Sequence, residues 1–384
     1  MHIIPIASGK GGVGKSLFTA NLGIALAQNG KRVVVADLDL GGSNLHLILG
    51  IRKPSKKGIG FFLGDSRSSL TDFLQPTDYA NLTFLAGDSE IPGMANLTSA
   101  QKRRLTNQLQ GLDADYLLLD LGAGSSFNTI DFFLLSGGGV IVTTPTPTAL
   151  VNAYVFLKSS MFRMLHGACK KGSEGQKFLT KLEKDTQGIQ RIYLQDLLRE
   201  LRKIDPKSAE TYELMTKRFQ PRLVMNMLDD PKEADKVQKL RRSCQQYLSL
   251  ELEHLGVMFR DEMQDLALSS GLPIIVYKPK SVLSQALYRI ADKIIQNESE
   301  DQDSTVLSEM DFSDDSFETA ELEAQLDYQS KIEYLEELLH TESLTLGDVM
   351  ETLKMQQYEV QQLKRENTLL KKKLLHAMEQ GFIG

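Results

Sequence analysis

The eight residues Gly9-Lys10-Gly11-Gly12-Val13-Gly14-Lys15-Ser16 constrain this chain more than anything else in it. They follow an apolar run, His2-Ile3-Ile4-Pro5-Ile6, and precede a helical pattern over 15–29. Strand, glycine-rich turn and helix in that order fit G-x-x-x-x-G-K-[ST], a loop that cradles phosphates. The glycines let backbone N–H groups close around an anion without Cβ clashes. A helix opening at Gly14 adds its positive dipole end. In such a loop Lys15 is expected to reach the β- and γ-phosphates of a nucleotide, and Ser16 to ligate Mg²⁺.

The first ~297 residues alternate short apolar runs with helical patterns. The expected strands are 2–7, 32–37, 82–86, 115–121, 139–144, 222–227, 254–259 and 273–277. Expected helices between them include 15–29, 98–111, 148–166, 231–248 and 281–296. Runs such as Tyr116-Leu117-Leu118-Leu119 suit strands buried on both faces. The pattern implies a doubly wound α/β domain with a mostly parallel sheet. One crossover is too long for a loop, so about 168–221 is read as a helical insertion. Residues 298–318 hold nine acidic residues and no Lys or Arg, which reads as an acidic flexible linker. The remainder, 319–384, reads as helical, with a break near 340–346.

Two further strands end in carboxylates. Val33-Val34-Val35-Ala36-Asp37-Leu38-Asp39 places Asp37 and Asp39 where an open α/β sheet meets its ligand crevice. Tyr116-Leu117-Leu118-Leu119-Asp120 leads into Leu121-Gly122-Ala123-Gly124, and an apolar strand ending in Asp120 suits a magnesium-holding site. Asp37 or Asp39 alone is also compatible with a polar turn capping the next helix.

Lys10 directly follows the first glycine, and the loop thereby resembles the deviant Walker A of the MinD/ParA class of ATPases. In that class the early lysine reaches the partner subunit's nucleotide, so the resemblance gives Lys10 a catalytic role in trans beside Lys15. It implies a water-orienting role for Asp39, a magnesium-shell role for Asp37, and a γ-phosphate-sensing amide at Gly122. The family usually carries Pro where Gly122 stands. Gly139-Val140-Ile141-Val142-Thr143-Thr144-Pro145-Thr146-Pro147 resembles the FlhG-type members most. Arg222-Leu223-Val224-Met225-Asn226 is a strand ending in Asn, where the family hydrogen-bonds adenine; an ordinary turn residue is the other reading of Asn226. Pro279-Lys280-Ser281 matches the closing loop near the base. The resemblance implies ATP and Mg²⁺ as cofactors, slow partner-stimulated ATP hydrolysis, and an ATP sandwich dimer.

The formal net charge is −6, so contact with DNA or anionic lipid must come from a local basic patch. The insertion offers Lys170, Lys171, Lys177, Lys181, Lys184, Arg199, Arg202 and Lys203, which suit DNA phosphates or an ordinary solvated face. Two cysteines, Cys169 and Cys244, match no metal or disulfide spacing and fit a reduced, cytoplasmic setting. Iron–sulfur work of the kind done by nitrogenase iron protein, in the same class, needs clustered interface cysteines, which this pattern does not supply. Residues 346–377 repeat every seven: Leu346, Leu353, Val360, Asn367 and Leu374 in one set, Val349, Gln356, Leu363, Leu370 and Ala377 in the other. With Glu359–Lys364 and Glu366–Lys371 as flanking pairs, this is a parallel two-stranded coil, or else a long helix packed on the body. The tail through Phe382 and Ile383 also suits a membrane-surface anchor, although the heptads account for most of its apolar residues. The chain is therefore expected to be a homodimeric nucleotide switch with an unidentified protein partner. The resemblance suggests that it positions or counts a flagellum, division site or chromosome, peripherally at the membrane or pole. The other function is a coiled-coil adaptor whose slow ATPase head gates partner binding.

Overall fold

The structure, a computed structural model, describes residues 1–40, 42–52, 55, 57–87, 97–184, 194–303 and 312–340. The expected coil over 346–377 and the expected break near 340–346 lie outside or at the limit of these residues. Two compact units are separated at Asp327/Tyr328, and the first contains the phosphate loop and the sheet.

Eight strands form that sheet: β1 (His2–Ser8), β2 (Val33–Leu38), β3 (Leu74–Pro76), β4 (Leu82–Leu85), β5 (Tyr116–Ala123), β6 (Val140–Thr143), β7 (Arg222–Leu228) and β8 (Glu253–Phe259). Their order is β3-β4-β2-β5-β1-β6-β7-β8. All neighbours are parallel except the short edge strand β3. The doubly wound expectation is met. The chain adds β2, β4 and β5 on one side of β1 and β6 to β8 on the other. A crevice therefore opens beyond the C-terminal end of β1, where the phosphate loop lies. Helix Lys15–Gln28 packs its Phe18, Leu22, Ile24 and Leu26 into the core with the strand residues Val33, Val35, Leu118 and Val142. Helix Ser99–Gln110 starts at a capping box in which Thr98 and Gln101 serve each other's backbone N–H groups.

The insertion contains helices Glu174–Lys184, Leu194–Ile204 and Pro206–Lys217. Leu194, Leu197 and Leu201 turn inward. Several of its cations are matched locally: Lys177 with Glu174, Arg199 with Asp196, Lys203 with Glu200, and Arg202 with Glu213. Such pairing suits a solvated helix face better than a free basic patch. No helix among the described residues is long and apolar enough to cross a membrane.

Two elements differ from the sequence expectation. Residues 273–277 are not a strand: Pro273 precedes a helical turn, Ile274–Tyr277, whose Ile275 N–H donates to Asn21 Oδ1 at 3.2 Å. A short apolar run is equally consistent with a buried helix, and Pro lacks the N–H that a central strand needs. The acidic stretch 298–318 is helical wherever it is described, in Val282–Asp303 and Phe312–His340. For the second of these helices the packing lies against β8, at the edge of the sheet. Phe317 is 1% exposed, lies 5.2 Å from the His254 ring at a tilt of 60°, and sits under the Arg241 guanidinium at 4.7 Å. The His254 N–H donates to Ser316 Oγ, and the Lys293 ammonium donates to the Leu255 carbonyl and pairs with Glu323. Side chains thus take hydrogen-bonding groups that an exposed edge strand would leave open.

Burial, with Lys293 nearby, holds the His254 imidazole down at about 3. The folded state keeps it neutral while the unfolded chain binds a proton below about 6.5, so stability falls as pH drops beneath that value. Unfolding free energies between pH 6.5 and 5 should show a slope approaching about 1.4 kcal/mol per pH unit that His254→Leu removes. An equal slope in the variant would contradict this role.

Candidate functional site

The loop after β1 is shaped by close approaches that only glycine permits. A Cβ on Gly9 would sit 2.2 Å from the Asn152 backbone, in the helix Pro147–Ala168. Gly12 and Gly14 hold φ of 79° and 85°, in the left-handed region, and Gly14 caps the helix that begins at Lys15. Gly11 lies against Ala123, at the end of β5. Val13 is buried.

Lys15 is 7% exposed and its ammonium donates to Asp120 Oδ1 at 2.7 Å. The same oxygen accepts from Thr19 Oγ1 at 3.0 Å, and Ser16 Oγ lies 3.3 Å from the Lys15 nitrogen. Thr19 carries no motif of its own in the sequence; it stands one helical turn beyond Lys15, and that spacing is the signal that finds it.

Asp37 and Asp120 are direct register partners on β2 and β5. Both are essentially out of water. Asp37 accepts from Ser43 Oγ at 2.6 Å and from the N–H groups of Leu45 and Asp39. Two carboxylates against one ammonium leave negative charge in excess. Burial first, and then the Asp120 charge, push the Asp37 carboxyl up to about 7. This environment favours an added cation. Asp39 is half-buried, and its carboxylate lies 3.3 Å from where a Gly122 Cβ would be. The ends of β2 and β5 therefore meet through Asp39 and Gly122.

The remaining expected residues divide. Lys10 is exposed, and no ion pair among the described residues engages it. Asn226 is buried against the loop, its Nδ2 donating to the Val13 carbonyl at 2.9 Å. Pro279 stands in an exposed turn where its carbonyl accepts from Gln285, and no hydrogen bond among the described residues joins it to the loop. Three exposed apolar side chains on the helices that follow β5 and β6 have no counterpart in the sequence motifs. Phe127 opens the helix after Gly124 at 72% exposure, and Val151 and Val155 flank Asn152 at 60% and 44%. Arg163 lies 5.3 Å over the Phe127 ring and is fixed by Asp131.

Residues 1–167 match the ParA family model, described as the NUBPL iron-transfer P-loop NTPase. The flagellum site-determining protein YlxH of Helicobacter pylori is 35% identical over 158 residues, 40% of this chain and 52% of that protein. The antiactivator FleN of Pseudomonas aeruginosa is 28% identical over 204 residues, 51% of this chain and 71% of that one. The chain spans about half the length of most of the curated relatives it matches. Among solved structures, septum site-determining protein MinD of Pyrococcus horikoshii, complexed with Mg-ADP, aligns with a TM-score of 0.52 and 21% identity over 77% of this chain and 97% of that one. At that identity the likeness concerns the fold.

The charge imbalance is testable without ligand. The folded state holds the Asp37 proton more tightly than the unfolded chain does. Stability from this group is therefore present below about 3.8 and lost as pH rises towards about 7. Between those values the midpoint of the wild type should fall relative to Asp37→Asn as pH increases. Parallel pH profiles for the two proteins would remove the argument.

Proposed function

We infer that this chain is a P-loop NTPase of the ParA/MinD family, a switch that binds and hydrolyses ATP and closes as a dimer around it. One observation carries this reading: a single loop buries one lysine on Asp120 and leaves a second, Lys10, exposed. The arrangement of Lys15, Ser16, Asp37 and Asp120 suits a triphosphate with its magnesium. Ser16, Asp37 and Asp120 would hold Mg²⁺, which offsets phosphate charge when bound. The excess of buried negative charge at Asp37 and Asp120 fits such a cation.

The Lys15 ammonium leaves Asp120 for the β- and γ-phosphates. Asp39 holds the attacking water in line, and its contact with Gly122 brings both strand ends to the same γ-phosphate. The water oxygen bonds to the γ-phosphorus while the bond to the β–γ bridging oxygen breaks. ADP leaves with that electron pair, and the water proton passes to phosphate or solvent. Little covalent work falls to the protein, so positioning and charge set the rate. Lys10 from a second copy supplies the missing positive charge, as an arginine finger does. Exposed Val151 and Val155, on the helix whose Asn152 backbone meets Gly9, are suited to burial when two copies meet. The coil over 346–377 keeps the copies together between cycles.

Relatives named for flagellar and septal site determination favour a role in positioning or counting a cellular structure. Iron transfer, in the description of the matching model, finds less support: Cys169, just after the helix Pro147–Ala168, and Cys244, within the helix Val237–Leu248, are both buried.

Sedimentation, small-angle scattering and turnover measurements test the cycle. Asp39→Ala should bind ATP and stay closed. Lys10→Ala should bind ATP, fail to close, and lose about 10³-fold in turnover, the scale of a trans-acting cation. Normal cycling by both variants would refute the switch, and a nucleotide-free monomer would refute the coil tether.

A further inference from the structure

Asn226 was expected at the base. Its surroundings assign it other work. It lies near the end of β7, where the pairing with β8 shifts register between Met225 and Leu228. Met227 follows in the left-handed region at φ 59°, a conformation rare for a residue with a side chain. At this irregularity the Asn226 carboxamide lies against the phosphate loop, not along the sheet. Its Nδ2 donates to the Val13 carbonyl at 2.9 Å, across 213 residues of sequence. Its Oδ1 accepts the Met227 N–H at 2.8 Å. A Cβ on Gly14 would stand 2.2 Å from Nδ2, so the missing side chain of Gly14 makes the slot that the amide fills.

We propose that Asn226 is a positioning residue of the phosphate loop, fixing the Val13–Gly14 peptide so that the Gly14 N–H faces bound phosphate. The physical basis is the planarity of one peptide group. In a trans peptide the C=O and the N–H point in opposite directions. Holding the Val13 carbonyl on Asn226 turns the Gly14 N–H away from Asn226 and into the loop. On its other side Gly14 is held too, since its carbonyl accepts the Phe18 N–H at 2.9 Å in the first turn of the helix. The N–H is thus aimed before any anion arrives, and preset donors need no reorganisation on binding. Base recognition draws on an acceptor and a donor of the amide together. Here one lone pair of the oxygen and one of the two N–H groups are already engaged within the protein.

The inference rests on the reading of this loop as a nucleotide site, and the two can fail separately. Pyrophosphate carries the phosphates without a base. Affinities of the full-length wild type, Asn226→Ala and Asn226→Leu are measured for pyrophosphate, ADP and GDP by calorimetry. Both variants should weaken all three ligands in parallel, by about tenfold, the scale of one buried hydrogen bond with its partner left unsatisfied. The unliganded melting temperature is recorded alongside. In the wild type, NMR should show pyrophosphate alone shifting the Gly14 amide and the Asn226 carboxamide resonances, a readout independent of variant folding. The proposal is overturned if pyrophosphate affinity is unchanged in the variants while the preference for ADP over GDP collapses. It is also overturned if adenosine, and not pyrophosphate, moves the Asn226 resonance. A wild type that binds none of the three ligands would remove the nucleotide reading itself.

Discussion

The buried contact between Lys15 and Asp120 is the interaction on which the site turns. An ammonium out of water needs a counter-charge, and the end of β5 supplies one at 2.7 Å. The partnership joins the phosphate loop to a strand remote in sequence but adjacent in the sheet. It also leaves Asp37 short of a cation, because one lysine cannot satisfy both carboxylates. On the proposed function, a nucleotide with its magnesium would resolve the imbalance by drawing Lys15 away and bringing positive charge in its place, so that binding and electrostatic relief would be the same event.

Sheet topology makes this geometry available. β1 lies between β5 and β6, so the loop after it is flanked by Asp120 on one side and by the helix Pro147–Ala168 on the other. Gly9 allows that helix to approach within contact of the loop backbone, and Gly14 admits the Asn226 amide from β7. The loop is braced from both halves of the sheet. Its conformation is a property of the whole fold, even though its sequence is only eight residues long.

Much of this was legible in the residues. The glycine-rich loop after β1 and the strands carrying Asp37 and Asp120 declare themselves by local chemistry, because residue type and spacing suffice. Tertiary packing decides the rest. Ile274–Tyr277 is as apolar as a strand, yet Pro273 and the waiting Asn21 carboxamide make it a helical turn. Residues 312–318 have the acidic composition of a linker, but Phe317 finds the edge of β8 beside His254. Nothing local predicts so distant a partner. Asn226 is the sharpest instance: its position suggests a base ligand, and its contacts bind it to Val13.

A crystal structure with magnesium and a non-hydrolysable ATP analogue tests the central claim most directly. The account predicts that the Lys15 nitrogen leaves Asp120 Oδ1 for the β- and γ-phosphates, and that Lys10 points to the nucleotide of a second copy. A structure with the analogue bound, Lys15 still on Asp120 and Lys10 in solvent would contradict it.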